Sequence, residues 1–205
     1  MQIINASYKI LDALDGDVIL HRLANYGRTC YKSDPSVDPQ KNRAFIAARI
    51  AAGHESILEH EKITVKFICD RGISHELVRH RLASFSQEST RYCNYEDKGM
   101  TFIRPCFWKE GTRDYEEWKQ AMTALEHIYR RYIHTSSTPE QARCILPNSL
   151  KTEIIMTANL REWRHILKLR TAPDAHPQMR EIMCPLLNEL KQKIPVIFDD
   201  INYAS

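Results

Sequence analysis

The sequence predicts an α+β fold, a single domain over residues 1–205 in which a central β-sheet is flanked by helices, one of them long. Three observations carry this. Ile63, Val65, Phe67 and Cys69 alternate with Thr64, Lys66 and Ile68, the period-two pattern of a strand. Tyr115, Trp118, Met122, Leu125, Tyr129 and Tyr132 recur every three or four residues, the stripe of a long helix with one apolar side. A length of 205 residues at 43% hydrophobic composition suffices for one sizeable core.

In chain order, the apolar and β-branched run from Ile3 to Ile10 reads as a first strand. Asp15-Gly16-Asp17 turns into a helix with Val18, Ile19, Leu23 and Tyr26 on its buried side. Asp38-Pro39 is a strong helix start, and Phe45, Ile46, Arg49 and Ile50 continue that helix until Gly53 closes it. His54 to His60, HESILEH, reads as a loop before the alternating strand, which Gly72 ends. Ser74 caps a short helix with room to reach Arg81, and Phe85 to Tyr92 reads as extended, placing Gln87, Ser89 and Arg91 on one side. Asp97 to Pro105 is loop-like, with Lys98-Gly99 as a turn. The long helix starts at Thr112, and its aromatic stripe reads as core or subunit interface. Thr138-Pro139-Glu140-Gln141 has the cap, the proline and the glutamine of a capping box, with Arg143 on the same short helix before Leu146-Pro147. Leu150 to Met156 fits a strand or an early helical turn. Asn159 to Arg170 reads as a helix with Trp163, Ile166 and Leu167 facing inward and Arg161, His165 and Arg170 as its polar candidates, the plain alternative being a basic exposed face that also includes Arg164 and Lys168. The last helix begins at His176-Pro177, with Met179, Ile182, Met183, Leu186, Leu187 and Leu190 as its apolar stripe and Pro185 inside it.

The 29 basic and 26 acidic side chains leave a formal charge of +3, too balanced for bulk electrostatic binding of long nucleic acid. No apolar run approaches the roughly 18 residues of a membrane span, and the amino-terminal stretch lacks the pattern of a signal peptide. A cytoplasmic protein is expected. Cys30, Cys69, Cys93, Cys106, Cys144 and Cys184 are scattered without a C-x-x-C pair, which suits free thiols better than disulfides or zinc. His54 and His60 stand six apart, a separation that fits no common helical ligand pair, so no metal is expected.

Chemistry concentrates in Glu76 to Tyr92, ELVRHRLASFSQESTRY, with three arginines, a histidine and four serine or threonine hydroxyls besides the phenol of the terminal tyrosine. On a helix, Arg79, His80 and Arg81 would fan over roughly 200° at about 100° per residue, too wide for one solvated stripe. Guanidinium forks hold phosphates and carboxylates, and Ser89, Thr90 and Arg91 add a second donor set. The plain alternative is an exposed basic helix end.

The spacing Arg79-His80-Arg81, seven residues, then Ser89 with Arg91 and Tyr92 resembles the signature of the flavin-dependent thymidylate synthases. The resemblance extends to His54-Glu-Ser56-Ile-Leu-Glu59-His60, Arg143-x-x-Leu146-Pro147, Thr157-Ala-Asn159-Leu-Arg161 and Leu167-x-Leu169-Arg170, nearly the whole chain. It implies methylation of dUMP to dTMP with the methylene of 5,10-methylenetetrahydrofolate and reducing equivalents from NADPH through FAD. By the same resemblance Ser56, Arg79, His80, Arg81, Gln87, Asn159, Arg161 and His165 bind the flavin. Glu76, Arg79, Gln87, Glu88, Ser89, Thr90, Arg91, Arg143 and Arg170 bind the nucleotide, and Arg170 is the activating arginine. Position 76 carries glutamate where the family often has glutamine. A homotetramer with sites shared between subunits is implied, with dUMP and folate as partners and neither nucleic acid nor membrane.

Two other classes compete on residues alone. A thymidylate synthase of the cysteine-nucleophile type would draw on Cys144 beside Arg143. A nucleic-acid module would use Arg79 to Arg91 as a phosphate strip, with Phe85 and Tyr92 for stacking.

Overall fold

A computed structural model describes residues 1–96 and 99–203. The strands are β1 (Gln2–Ile4), β2 (Ser7–Ile10), β3 (Lys62–Asp70), β4 (Ala83–Gln87), β5 (Thr101–Ile103) and β6 (Lys151–Asn159). The helices are α1 (Gly16–Thr29), α2 (Pro39–Ala51), α3 (Arg71–Leu77), α4 (Arg113–His134), α5 (Pro139–Ala142), α6 (Leu160–Arg170) and α7 (Pro177–Lys193), with 3-10 turns at Glu55–His60 and Arg143–Ile145. The α+β class and the long helix hold. A four-stranded sheet runs in the order β2-β3-β6-β4, and β1 and β5 form a parallel pair with Gln2 opposite Thr101 and Ile4 opposite Ile103. Strands β3 and β6 run antiparallel, since Leu160 N donates to Glu61 O at one end and Arg71 N to Leu150 O at the other.

The chain forms two compact units, one of Met1–Lys9, Lys66–His80 and Phe85–Ile155, the other of Ile10–Val65, Arg81–Ser84 and Met156–Ser205. In the first, the α4 stripe behaves as its spacing predicts. Tyr115, Trp118, Met122 and Tyr129 are buried with Met100, Phe102, Ala142 and Leu150, while Leu125 and Tyr132 pack at the edge. Trp118 keeps its polar end satisfied by donating Nε1–H to Ser149 Oγ at 3.1 Å. The capping box at Thr138 forms in both directions, so α5 begins where its sequence says.

In the second unit Asp15 caps α1 by accepting from Val18 N at 3.0 Å, and Asp38 caps α2 with Pro39 at the first helical position. Gly16 is needed for close approach, because a Cβ there would run into the Lys193 carbonyl at the end of α7. Gly53 ends α2 region at φ +74°, a conformation that favours glycine. Trp163, Ile166 and Leu167 of α6 and the whole predicted stripe of α7 are buried. Trp163 donates Nε1–H to Ile63 O at 2.9 Å, fixing the first turns of α6 to the start of β3.

Several expectations are corrected. Ile3 to Ile10 is two strands, and they join different sheets. On α1 the buried residues are Ile19, Leu20, Leu23, Ala24, Gly27 and Arg28, whereas Val18 and Tyr26 are 46% and 45% exposed. His54 to His60 is largely a 3-10 turn. Strand β3 ends at Asp70, not Gly72, because Asp70 itself caps α3 by accepting from Ile73 N at 2.8 Å. Helix α3 therefore stops at Leu77, and Arg79, His80 and Arg81 occupy the turns beyond it instead of fanning round a helix. Extended geometry ends at Gln87, after which Thr90 to Tyr92 form a turn. The stretch read as loop from Asp97 to Pro105 contains β5; the Lys98 half of the expected turn lies outside the described residues. Residues 151–159 are a strand.

Candidate active site

Predicted site residues line two clefts, one in each unit. In the second unit, Glu55, Glu59, Leu82, Asn159, Arg161, Glu162, Arg164, His165 and Lys168 line a cleft of about 720 Å³. Three residues predicted to bind flavin, Asn159, Arg161 and His165, come together on this wall. The cause is local: Asn159 caps α6 by accepting from Glu162 N at 2.8 Å, and Arg161 and His165 stand four residues apart on one helix face. Capping commits the Asn159 side-chain oxygen, so its amide nitrogen is the end that can meet a ligand. Arg161 Nη1 meets Glu59 Oε1 at 2.6 Å, with the two side chains 52% and 47% exposed. Such an exposed pair is worth at most about 1 kcal/mol. Ser56 is exposed on the same 3-10 turn as Glu59 but does not line the cleft, and Arg81 lies on an exposed turn next to the lining residue Leu82. Arg170 ends α6, half-buried.

Arg164 departs from the plain alternative for this helix. Instead of joining an exposed basic face it is 1% exposed, with its guanidinium donating to both oxygens of Asp200, to Glu55 Oε1 and to the Ile197 carbonyl. Burial opposes its charge, but hydrogen bonds to Asp200 and Glu55 outweigh that and raise its pKa further. Lys168 adds a third cation to the lining, against the carboxylates of Glu55, Glu59 and Glu162.

In the first unit, Lys66, Gln87, Glu88, Tyr95, Lys151 and Glu153 are among the residues lining a cleft of about 630 Å³. Two of the residues predicted to bind the nucleotide, Gln87 and Glu88, come together here, at and just past the end of β4. Gln87 Nε2 donates to Ser74 Oγ at 2.9 Å and to Thr152 Oγ1 at 3.2 Å, which leaves its side-chain oxygen to accept from a ligand. Glu88 accepts from Lys151 Nζ at 3.0 Å and from Tyr95 Oη at 3.1 Å. Lys151 also donates to Glu153 at 2.7 Å, and Glu153 pairs in turn with Lys66. Burial works to lower the Lys151 pKa, but its bonds to Glu153 and Glu88 hold it above the ordinary lysine range, and Lys151 with Lys66 holds Glu153 below the ordinary carboxylate range. Burial, with Glu88 beside it, pushes the Tyr95 phenol up. This ladder was not read from the sequence, although Lys66 on β3 and Lys151 and Glu153 on β6 are the polar alternates of two strands whose other residues are buried.

Past Glu88 the chain turns. Ser89 Oγ accepts from Arg91 N at 3.2 Å and Ser89 O from Cys93 N at 3.0 Å, and Thr90 is buried. Arg91 Nε meets Glu140 Oε1 at 2.9 Å, which ties the Ser89–Arg91 turn to α5, with exposed Arg143 at the end of that helix. Glu76 lies on α3, Arg79 is exposed past its end, and His80 is 5% exposed. Cys144 is an exposed free thiol.

Comparison with known proteins adds the family. Residues 17–196 match the Thy1 family model, described as thymidylate synthase complementing protein. The flavin-dependent thymidylate synthase of Pyrococcus furiosus is 40% identical over 144 residues, 69% of this chain and 59% of that protein, so the match spans less than two thirds of the archaeal relative. The flavin-dependent thymidylate synthase of Corynebacterium aurimucosum is 32% identical over 87% of this chain and 78% of its own. A solved structure of the UMP/dUMP methylase PolB from Streptomyces cacaoi, bound with 5-Br dUMP, superposes with a TM-score of 0.82 at 23% identity, covering 97% of this chain and 96% of that one; at this identity the likeness shows the fold. The match over residues 17–196, together with these identities across most of the chain, places the protein in the flavin-dependent thymidylate synthase (Thy1) family.

Proposed function

We propose that the protein converts dUMP to dTMP, taking the methylene group of 5,10-methylenetetrahydrofolate and reducing equivalents from NADPH through FAD. The observation that carries this reading is the assembly of Asn159, Arg161 and His165 on one wall of one cleft in a chain of this family. The donor set suits FAD. A diphosphate can displace the exposed Glu59 carboxylate from Arg161 at little cost, and the Asn159 amide offers a further donor. Ser56, Arg79, His80, Arg81 and Gln87 are proposed to complete the cofactor site. Bound FAD would supply the hydride chemistry that side chains lack.

The protein's own residues hold and polarise the nucleotide. Arg91 and Arg143, with Ser89 and Thr90, are proposed to hold the dUMP phosphate, and Glu76, Arg79 and the Gln87 side-chain oxygen to orient the nucleoside. Methylation at C5 requires electron density on that carbon, which a fixed cation against the deprotonated pyrimidine ring stabilises. Arg170 is assigned that role because its charge persists at working pH. The active form proposed is a cytoplasmic homotetramer whose sites draw on several subunits, in keeping with closed symmetry. No helix among the described residues is long and apolar enough to cross a membrane.

The test is a visible spectrum of the purified protein during titration with dUMP, beside its mass by light scattering. A yellow tetramer whose flavin absorbance shifts on dUMP binding is expected. A colourless protein, or a fully active monomer, overturns the respective part of the reading.

A further inference from the structure

We propose that Lys151 is a positioning residue for nucleotide binding, setting the Ser89–Arg91 turn through the Glu88 carboxylate, and that Glu88 is a strut of that turn instead of a ligand to the nucleotide. The inference rests on the dUMP reading above and refines the nucleotide site within it.

Both Glu88 carboxylate oxygens already have partners. One carboxylate oxygen accepts from Lys151 Nζ at 3.0 Å and the other from Tyr95 Oη at 3.1 Å. The Lys151 and Glu88 side chains are 20% and 18% exposed, so their contact is sheltered from water on most sides. A carboxylate with both oxygens engaged has little to offer a nucleotide, and its charge repels a phosphate. The backbone is fixed as well: Glu88 N donates to Glu153 O at 2.9 Å, which carries the β4–β6 ladder one residue beyond the strand. Glu88 is thus held to β6 by main chain and side chain at once.

Ser89, Thr90 and Arg91, proposed to meet the nucleotide phosphate, follow immediately. Ser89 is the hub of the next turn, accepting from Arg91 N through Oγ and from Cys93 N through its carbonyl. Where Ser89 sits decides where the Arg91 guanidinium leaves the chain. Its distant anchor, the Arg91–Glu140 pair, has side chains 49% and 53% exposed and is weak by comparison. Of these two side-chain anchors, the sheltered one on the Glu88 side holds the turn more firmly.

The charge order explains why the lysine matters. Along Lys66, Glu153, Lys151 and Glu88 the signs alternate, with Lys151 the cation between the two carboxylates. Removing its ammonium leaves Glu153 with Lys66 but leaves Glu88 next to a like charge without an intervening cation. Glu88 then turns toward water, and the residue after it loses its fixed origin. An arginine at 151 keeps the cation and a fork able to reach both carboxylates.

The test uses flavin-loaded protein with Lys151→Met, Lys151→Arg, Glu88→Gln and the Met/Gln double variant, measuring dUMP affinity by flavin absorbance, methylation kinetics, flavin content and melting temperature. Lys151→Met is expected to raise the dUMP Kd and KM about tenfold with kcat at saturation and flavin content near wild type, while Lys151→Arg recovers most of the loss. Because Lys151 acts through Glu88, the double variant is expected to lose no more than Lys151→Met alone; additive losses overturn the coupling. A Lys151→Met protein that loses flavin and melting temperature in step with dUMP affinity shows a general brace and overturns the proposal, as does one that binds dUMP normally. If wild-type protein takes up no dUMP at all, the thymidylate synthase reading fails. Amide exchange across Ser89–Arg91 then still decides the positioning, with faster exchange in Lys151→Met supporting it and equal exchange ending it.

Discussion

Arg164 closes a two-armed grip on Asp200, with Nη1 2.6 Å from Oδ1 and Nη2 2.8 Å from Oδ2. The same guanidinium reaches Glu55 at the start of the 3-10 turn and the Ile197 carbonyl. One buried cation therefore joins α6 and the turn that carries Glu59, both of which line the cleft with Arg161 and His165, to the segment after α7. Arg164 gives its donors to the protein and leaves ligand contact to its neighbours on the helix.

Arg164→Met is expected to destabilise the fold by about 3 kcal/mol, the lower end for breaking a buried pair, since Glu55 and Asp200 stay partly exposed and recover hydration. Urea unfolding followed by circular dichroism measures this. A loss below about 1 kcal/mol, the scale of a surface pair, means that the grip contributes little.

The same pair makes a pH prediction. Hydrogen bonds from Arg164 are the main reason the Asp200 pKa lies below its ordinary value of 3.8. A carboxyl depressed in the folded state contributes stability that is fully present above its unfolded pKa and is lost as pH falls through the lower, folded value. Wild-type stability should therefore drop as pH falls below about 4, and Asp200→Asn, less stable at neutral pH, should drop less steeply over the same range. Parallel curves for the two proteins would remove Asp200 from the acid response.

How much of this was legible in the sequence depends on the distance over which each feature is determined. The α4 stripe, the alternation of β3 and the Thr138 capping box are set by residues within a few positions of one another, and all three stand as read. Arg164 was not legible, because its partners lie 109 residues before it and 36 after it, and a helical cation looks solvated until they are known. Strand β5 has three residues, too few to show a period, and is recognisable only by its pairing with β1. Helix α3 was shifted because Asp70 is at once the last residue of a strand and the cap of a helix, and the reading gave the cap to Ser74. Within the predicted site, motif order found the Asn159, Arg161 and His165 wall but could not show that Glu88 is already engaged by Lys151 and Tyr95.

Glu59 competes with any anion for Arg161 across a half-exposed pair. Glu59→Gln is expected to tighten flavin binding by about two- to fivefold, the range an exposed ion pair can withhold. Equilibrium dialysis of apoprotein with FAD at low salt is the measurement, and weaker binding in the variant would mean that Glu59 helps to hold the cofactor.

Arg170→Lys keeps the charge at the end of α6 but loses the planar fork, so it separates cofactor binding from activation of the ring. Flavin content is expected to stay near wild type while dUMP methylation falls by at least about 10², the scale of losing one preorganised donor. His80→Ala, at a site 5% exposed, is expected to lose the flavin itself and with it every activity. An Arg170→Lys protein that is colourless, or that methylates at the wild-type rate, would put the arginine in a different role.

Flavin dependence of thymidylate formation is the most direct measurement. Purified protein, supplied with dUMP, 5,10-methylenetetrahydrofolate and NADPH, is assayed for dTMP before flavin removal, after it, and after FAD is restored. The expected result is dTMP formed by the yellow protein, none after removal, and recovery with FAD; dTMP formed equally well without flavin, or none under any of the three conditions, would contradict the proposed activity.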